Sequence, residues 1–208
     1  MPKILSEADI AEFREVLCRA ATERFARYGY DGVTMRQIAE DLGCSPKTPY
    51  RYFRNKDEIV AMVRAAAFRR FADGLDAAGA GVSVPAERAR KVGKAYLDMA
   101  LGDPASYRIM FDMREPETGE YPELARESAR ARAYVTRQAE DLRAAGITDA
   151  DPQMLGYAMW ASVHGLVVLR LGGLLRHGPE FDELHRQTMR FLVRGASATQ
   201  DDRKRKRL

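Results

Sequence analysis

The stretch GCSPKTPYRYFRNKDE, Gly43 to Glu58, crowds lysine, arginine and tyrosine into the positions from Lys47 to Lys56, behind a glycine and a serine that favour a turn. At about 100° per residue, Lys47, Arg51 and Arg54 fall along one helix face, with Thr48 and Tyr52 beside them, while Pro49 and Phe53 point the other way. Such a face suits a nucleic-acid duplex. Arg or Lys can hydrogen-bond to guanine edges, Thr48 can meet a base or a thymine methyl, and the phenols of Tyr50 and Tyr52 can reach phosphates. Thr34 and Lys56 open the flanking helices, where free amides and the positive dipole end favour a phosphate, and Arg36 lies in the first turn behind Thr34. The candidate duplex contacts are therefore Thr34, Arg36, Lys47, Thr48, Tyr50, Arg51, Tyr52 and Lys56.

The elements that must hold these residues are helices. No convincing period-two strand occurs, and the chain reads as all-α. Ser6 precedes an amphipathic run through Ile10, Phe13, Leu17, Ala21 and Phe25, which Gly29 is suited to end. Thr34 with Gln37 forms a capping box for a short helix whose inward face is Ile38, Ala39 and Leu42. Ser45 is a good N-cap and Pro46 suits a first helical position, so the basic segment is expected to begin a third helix there. Pro49 removes the amide that would close that helix's first turn and crowds the Ser45 carbonyl, which predicts a first turn either distorted or tightened to 3₁₀. Asn55 caps a long helix with Glu58 at its third position. Further helices are expected over 85–101, 104–113, 122–145, 152–176 and 180–196, several of them opened by a proline. Two short helices about a glycine turn form a helix-turn-helix, whose second helix enters a major groove.

The segment TMRQIAEDLGCSPKTPYRYFRNKDEIVAMV closely resembles the DNA-binding region of the TetR family of bacterial transcriptional regulators. The matching residues are Thr34, Ile38 and Ala39; Gly43 and Ser45; Thr48, Tyr50 and Phe53; and Lys56, Asp57, Glu58 and Ile59. Pro49 departs from the family pattern, which usually has an aliphatic residue there. WASVHG, Trp160 to Gly165, is similar to the Trp…His-Gly signature of the WHG type of C-terminal domain found in such regulators. The resemblance implies an N-terminal three-helix helix-turn-helix DNA-binding domain over 1–55, a connecting helix over 56–80 and a larger helical effector-binding and dimerisation domain over 81–197. A disordered basic tail over 198–208 would follow. It further implies a homodimeric repressor in the cytoplasm that binds a near-palindromic operator and is released by a small-molecule effector.

In the C-terminal part, Trp160 and His164 are one helical turn apart and can line one cavity. Tyr96, Met99, Tyr107, Met110, Phe111 and Tyr157 are expected to complete an aromatic and thioether-lined pocket. The helix from 152 carries one stripe of Leu155, Met159, Ser162, Leu166, Leu169 and Gly173, and a second of Tyr157, Trp160, His164, Val167 and Leu171. A helix apolar on both sides must be covered on both. The first stripe, with Leu184 and Phe191 of the last helix, is the expected dimer interface.

Composition narrows the alternatives. A net charge of +4 over 208 residues is too small for binding by overall field, so local clusters must carry it. The two cysteines, Cys18 and Cys44, lack disulfide or zinc spacing and fit reduced thiols in a cytosol. No metal or other cofactor is expected, since His177 and His185 lie on later segments than His164. No secretory signal is read in the N-terminal residues. Leu155 to Leu175 is nearly long enough to span a bilayer, but His164, Arg170 and its glycines argue for a buried helix and no membrane partner. Two other classes remain to be separated: a DNA-binding protein without sequence preference or effector, and an all-helical enzyme using Asp98, Asp103, Tyr107 and His164. Against the enzyme, no HExxH, GxSxG, P-loop or dinucleotide fingerprint occurs.

Overall fold

The computed structural model describes residues 6–111 and 120–205. Among them the chain is all-α: α1 (Glu7–Tyr28), α2 (Met35–Asp41), a 3₁₀ segment (Pro49–Arg51), α3 (Lys56–Gly79), α4 (Pro85–Gly102), α5 (Pro104–Phe111), α6 (Pro122–Ala144), α7 (Pro152–Leu171) and α8 (Phe181–Arg205). The starts follow local chemistry. Ser6 accepts from the Asp9 amide and Asp9 returns the bond, a closed capping box. Thr34 and Gln37 close another on α2. Asn55 Oδ1 accepts from the Glu58 amide at 2.9 Å, and Asp151 Oδ1 from the Met154 amide at 2.9 Å. Gly29 and Gly43, with φ of 69° and 61°, take the left-handed conformations that let α1 end and the chain leave α2.

The chain forms two compact units, the first from Met1–Arg70 with Asp103–Ser128 and the second from Phe71–Gly102 with Ala129–Leu208. In the first, Leu17, Ala21 and Phe25 of α1 meet Val33, Met35 and Ile38 around α2, Phe53, Ile59 and Val63 of α3, and Ile109 of α5. Burying each large side chain such as Phe25 or Phe53 contributes roughly 1.5–3 kcal/mol. Arg69 pairs with Glu123 and Glu127, drawing the start of α6 to α3.

In the second unit α7 packs against α8 and α4. Gly156 lets α7 approach α6 so closely that a Cβ there would run into the Val135 carbonyl, and Gly74 likewise makes room for the Met99 sulfur. Phe71 meets Tyr96 edge to face at 5.0 Å. Arg130 of α6 reaches both Asp73 and Asp76 of α3, and Tyr134 donates to Asp76.

Three expectations change. The basic segment is not an α-helix from Pro46 but a turn followed by one 3₁₀ turn. The helix from 152 ends at Leu171 rather than 176, because Gly173 at φ 73° lets the Gly173 and Leu174 amides cap Arg170 and Leu169. Residues 198–205, expected as a disordered tail, continue α8 to Arg205. That stretch, Ala-Thr-Gln-Asp-Asp-Arg-Lys-Arg, mixes good helix formers with weaker ones but has no Gly or Pro to stop it. Residues 206–208 and the predicted helical positions 112–113 lie outside the described residues.

Candidate nucleic-acid interface

Pro49 shapes the basic segment. Were Ser45 the N-cap of an α-helix, the amide at position 49 would donate to its carbonyl, and proline has none. Thr48 N takes the Ser45 carbonyl instead at 2.8 Å, an i to i−3 bond. Arg51 N on Thr48 O and Tyr52 N on Pro49 O repeat that pattern at 3.0 Å each, and Phe53 N also reaches Pro49 O at 3.0 Å. The segment is a tightened helical turn anchored by the buried Pro49 and by Phe53, 2% exposed.

Its outward side bears Lys47, Tyr50 and Arg51, all exposed, with Thr48 half-buried beside them. Tyr50 keeps 58% of its surface open to solvent, a large apolar exposure for a lone aromatic. Thr34 lies at the exposed start of α2, where its hydroxyl accepts from Gln37 N at 3.3 Å. Arg36 is exposed and pairs with Glu40 one turn on, at 2.9 Å. These six residues stand where a duplex could reach them.

Tyr52 and Lys56, both half-buried, are engaged within the unit itself. The Tyr52 ring stacks on Phe13 of α1, centroids 4.3 Å apart. The Tyr52 ring is thus turned towards α1. Lys56 Nζ donates to Tyr30 O at 2.8 Å and Val33 O at 2.9 Å and lies 3.8 Å from the Tyr30 ring centre. Its charge is held at the α1–α2 corner, where it supplements the Val33 amide on Tyr30 O, 3.3 Å away, and donates to Val33 O. Neighbouring Asp57 accepts from the Tyr30 phenol, which burial first and this hydrogen bond second push up to about 12.

Sequence reasoning missed the residue opposite, Arg14. Its guanidinium lies over the Phe53 ring at 4.2 Å, donates to the Tyr52 carbonyl and reaches Glu58 at 3.2 Å. Burial raises the Glu58 carboxyl, but hydrogen bonds from the Arg54 amide, Arg14 and the Arg54 side chain outweigh it and leave Glu58 below its ordinary value. Only the position of Arg14 beside Phe13, at the edge of the α1 stripe, signalled this role.

The candidate pocket residues divide between the units. Tyr107, Met110 and Phe111 belong to the first, where Tyr107 and Met110 are buried and Phe111 packs on Tyr107 at 4.9 Å and Phe68 at 5.9 Å. Tyr96, Met99, Tyr157, Trp160 and His164 belong to the second, with Tyr157, Trp160 and His164 in a ladder along α7 at 6.2 and 6.0 Å.

Of the expected dimer stripe, Leu155 is buried, 4% exposed, facing inward with Gly156, Val163 and Val167. It therefore cannot meet a partner. Met159, Ser162, Leu166, Gly173 and Leu184 are half-buried, and Leu169 and Phe191 are exposed. The bare face of α7 is rotated from the expected one and carries Met154, Tyr157, Val168 and Leu169, with Leu174 beyond it. The spacing Met154, Tyr157, Ala161, Gly165, Val168 was present in sequence as a third stripe at helical period.

A family model of bacterial regulatory proteins, tetR family, matches residues 17–63. A model of the tetracyclin repressor-like C-terminal domain matches residues 89–192, half of the chain, and takes in Trp160–Gly165. Relatives include the HTH-type transcriptional repressor AcnR of Corynebacterium jeikeium, 34% identical over 73 residues, 35% of this chain and 38% of that protein. The HTH-type transcriptional regulator TcmR of Streptomyces glaucescens is 32% identical over 77 residues, 37% of this chain and 34% of that protein. The chain thus aligns with little more than a third of the length of either relative. Its fold recurs in a Rhodococcus sp. RHA1 protein of unknown function, with a TM-score of 0.75, 23% identity and coverage of 95% of this chain and 99% of that one. It recurs also in the fatty acid degradation regulator FadR of Bacillus halodurans, with a TM-score of 0.68, 15% identity and coverage of 86% and 94%. With models of both halves of one architecture matching the chain over a helix-turn-helix and a helical second unit, the enzyme alternative falls, and the chain belongs to the TetR family of bacterial transcriptional regulators.

Proposed function

We propose that the protein is a homodimeric, ligand-responsive repressor of the cytoplasm that binds a near-palindromic operator through two helix-turn-helix units. The observation that carries this reading is the exposed set Lys47, Tyr50 and Arg51 on a turn pinned from beneath by Pro49 and Phe53, directly after α2. Arg51 and Lys47 supply donors for guanine edges, Tyr50 offers a ring to a thymine methyl or a hydroxyl to phosphate, and Thr34, Arg36 and Thr48 fix the backbone register. Twofold symmetry would set two such elements about 34 Å apart, in successive major grooves. Repression is favoured by relatives that bear the name repressor, AcnR among them.

The domain reading follows: DNA binding over 1–55, a link over 56–80 and sensing with dimerisation over 81–197. The link rests on α3, which contributes Lys56–Arg70 to the first unit and Phe71–Gly79 to the second. The effector is a small, largely apolar molecule met by the Tyr157, Trp160 and His164 ladder with Tyr96 and Met99. Its binding shifts the equilibrium towards a conformation whose recognition elements no longer match the operator spacing, by no more than its differential affinity for the two states.

The test is selection of duplexes from a randomised library by the full chain, followed by anisotropy titrations at two salt concentrations with Arg51→Ala alongside. Enrichment of a near-palindrome whose preference survives the higher salt is expected, with Arg51→Ala weakening that duplex by about 1–3 kcal/mol. Equal, steeply salt-dependent binding to enriched and scrambled duplexes would instead mark a DNA-binding protein without sequence choice.

A further inference from the structure

We propose that Arg14 of α1 is a positioning residue for DNA recognition, which clamps the proline-shortened basic turn in its binding geometry; the inference rests on the reading that this turn enters the major groove. Arg14 meets the end of the turn in three ways at once. Its guanidinium carbon lies 4.2 Å from the centre of the Phe53 ring, one nitrogen donates to the Tyr52 carbonyl, and the other reaches Glu58 Oε1 at 3.2 Å. Glu58 passes the contact on, since its second oxygen accepts from the Arg54 amide at 2.8 Å and Arg54 Nε at 3.3 Å. Phe13, the residue before Arg14, adds the stack on Tyr52. From Tyr52 to Arg54, backbone and side chains are thus tied to α1 and α3.

The need for a clamp follows from Pro49. An α-helix carries its own rigidity through successive i to i−4 bonds, but here i to i−3 bonds hold the segment up to Tyr52, and Phe53 N on Pro49 O is the one i to i−4 bond that follows. A single 3₁₀ turn holds its side chains loosely unless its end is fixed from outside. Arg51 directly precedes the residue whose carbonyl Arg14 holds, so the clamp sets the direction from which Arg51 and Tyr50 leave the turn. Ordering that direction in advance lowers the entropy lost on binding, and so favours the duplex that needs Arg51 and Tyr50 correctly aimed over one held by charge alone. Arg14 is itself only part-exposed, with 27% of its side chain open, and does not belong to the outward face.

The full chain tests this with Arg14→Gln, Arg14→Lys and a control, Arg24→Gln, which breaks the α1–α2 pair of Arg24 with Asp41 away from the turn. Two readouts are taken: amide hydrogen exchange over 45–54 in the free protein, and the ratio of affinities for the enriched duplex and a scrambled one. Arg14→Gln should speed exchange at Thr48, Arg51, Tyr52 and Phe53 and lower the ratio about tenfold, the effect of losing one charge-assisted hydrogen bond. Affinity for the scrambled duplex should hold. Arg14→Lys, able to reach one acceptor, should fall between. Arg24→Gln should leave local exchange and the ratio as in the parent even if it lowers the melting temperature equally. Parent-like exchange and ratio in Arg14→Gln, or changes matched by Arg24→Gln, would overturn the proposal and leave Arg14 as packing. If Arg14→Gln fails to fold, Glu58→Gln, which loosens one arm of the clamp, decides by the same readouts. If the parent enriches no duplex, the operator reading falls and the exchange comparison alone decides whether Arg14 orders the turn.

Discussion

Lys56 satisfies two carbonyls at once, Tyr30 O and Val33 O, and holds the corner between α1 and α2 against the start of α3. Replacing it by Ala takes from Val33 O its lysine donor and leaves Tyr30 O only the Val33 amide at 3.3 Å, in a part-buried site, at a cost of about 1–3 kcal/mol. Lys56→Ala should therefore lower the denaturation midpoint while changing the salt dependence of DNA binding little; a lost phosphate contact would instead reduce the slope by about one and spare stability. The lysine was visible in sequence as the start of a helix, and so was its family motif with Asp57 and Glu58. Its direction was not, because a long cation at a helix N-terminus serves equally well turned outward to phosphate or folded back onto carbonyls. Thr34, by contrast, was legible in full, since a capping box is specified by residues three apart and needs no tertiary partner. His185 belongs to the illegible kind: a histidine on an amphipathic helix gave no sign that it would be 9% exposed.

Pro49 decides the form of an element. The capping signals of Ser45 and Pro46 favour an α-helix, yet one missing amide three residues on turns the segment into a 3₁₀ turn, and the sequence revealed the conflict if not its full extent. Pro49→Ala restores a donor for the Ser45 carbonyl, so amide and Cα shifts over 46–49 should move to helical values. The Lys47 and Arg51 side chains should then leave at different angles, and selection with this variant should enrich a different duplex from the parent. An unchanged duplex would mean that tertiary contacts, not the proline, set the turn. At the other end of the chain, α8 presents the His185 imidazole to Gly93 of α4, where a Cβ would lie 3.4 Å from it. Burial holds this imidazole below its ordinary 6.5, against Asp182, which raises it, and with Arg186, which lowers it. A lowered base is more readily protonated when unfolded, so its contribution is whole above 6.5 and is lost as pH falls below that value. Stability measured between pH 7.5 and 5 should decline in the parent, and His185→Leu should flatten the part of that slope due to this group. An identical slope in both would assign the loss to other groups.

At the scale of the whole molecule, α7 leaves an apolar face uncovered among the described residues. By length and composition it is apolar enough to cross a membrane, yet most of it lies outside the core, with Met154, Tyr157, Val168 and Leu169 open to water. Composition disclosed that both sides of this helix need cover, but with few polar residues to mark a solvent face it left the rotation open. Gly156 fixes the rotation through its fit against Val135, turning Leu155 inward and Val168 outward. In a symmetric dimer the same patch faces itself, so Val168→Arg places two charges in one apolar seam. An unpaired buried charge costs several kcal/mol, enough to shift dissociation by at least about a hundredfold. Sedimentation over a concentration series should show a parent dimer and a folded Val168→Arg monomer with weakened operator binding, since each half-site is then bound alone. Leu155→Ala provides the contrast: a cavity in the inward face should lower stability by about 2–5 kcal/mol and leave association intact. A dimer that survives Val168→Arg but dissociates in Leu155→Ala would return the seam to the Leu155 stripe, and with it a rotated α7.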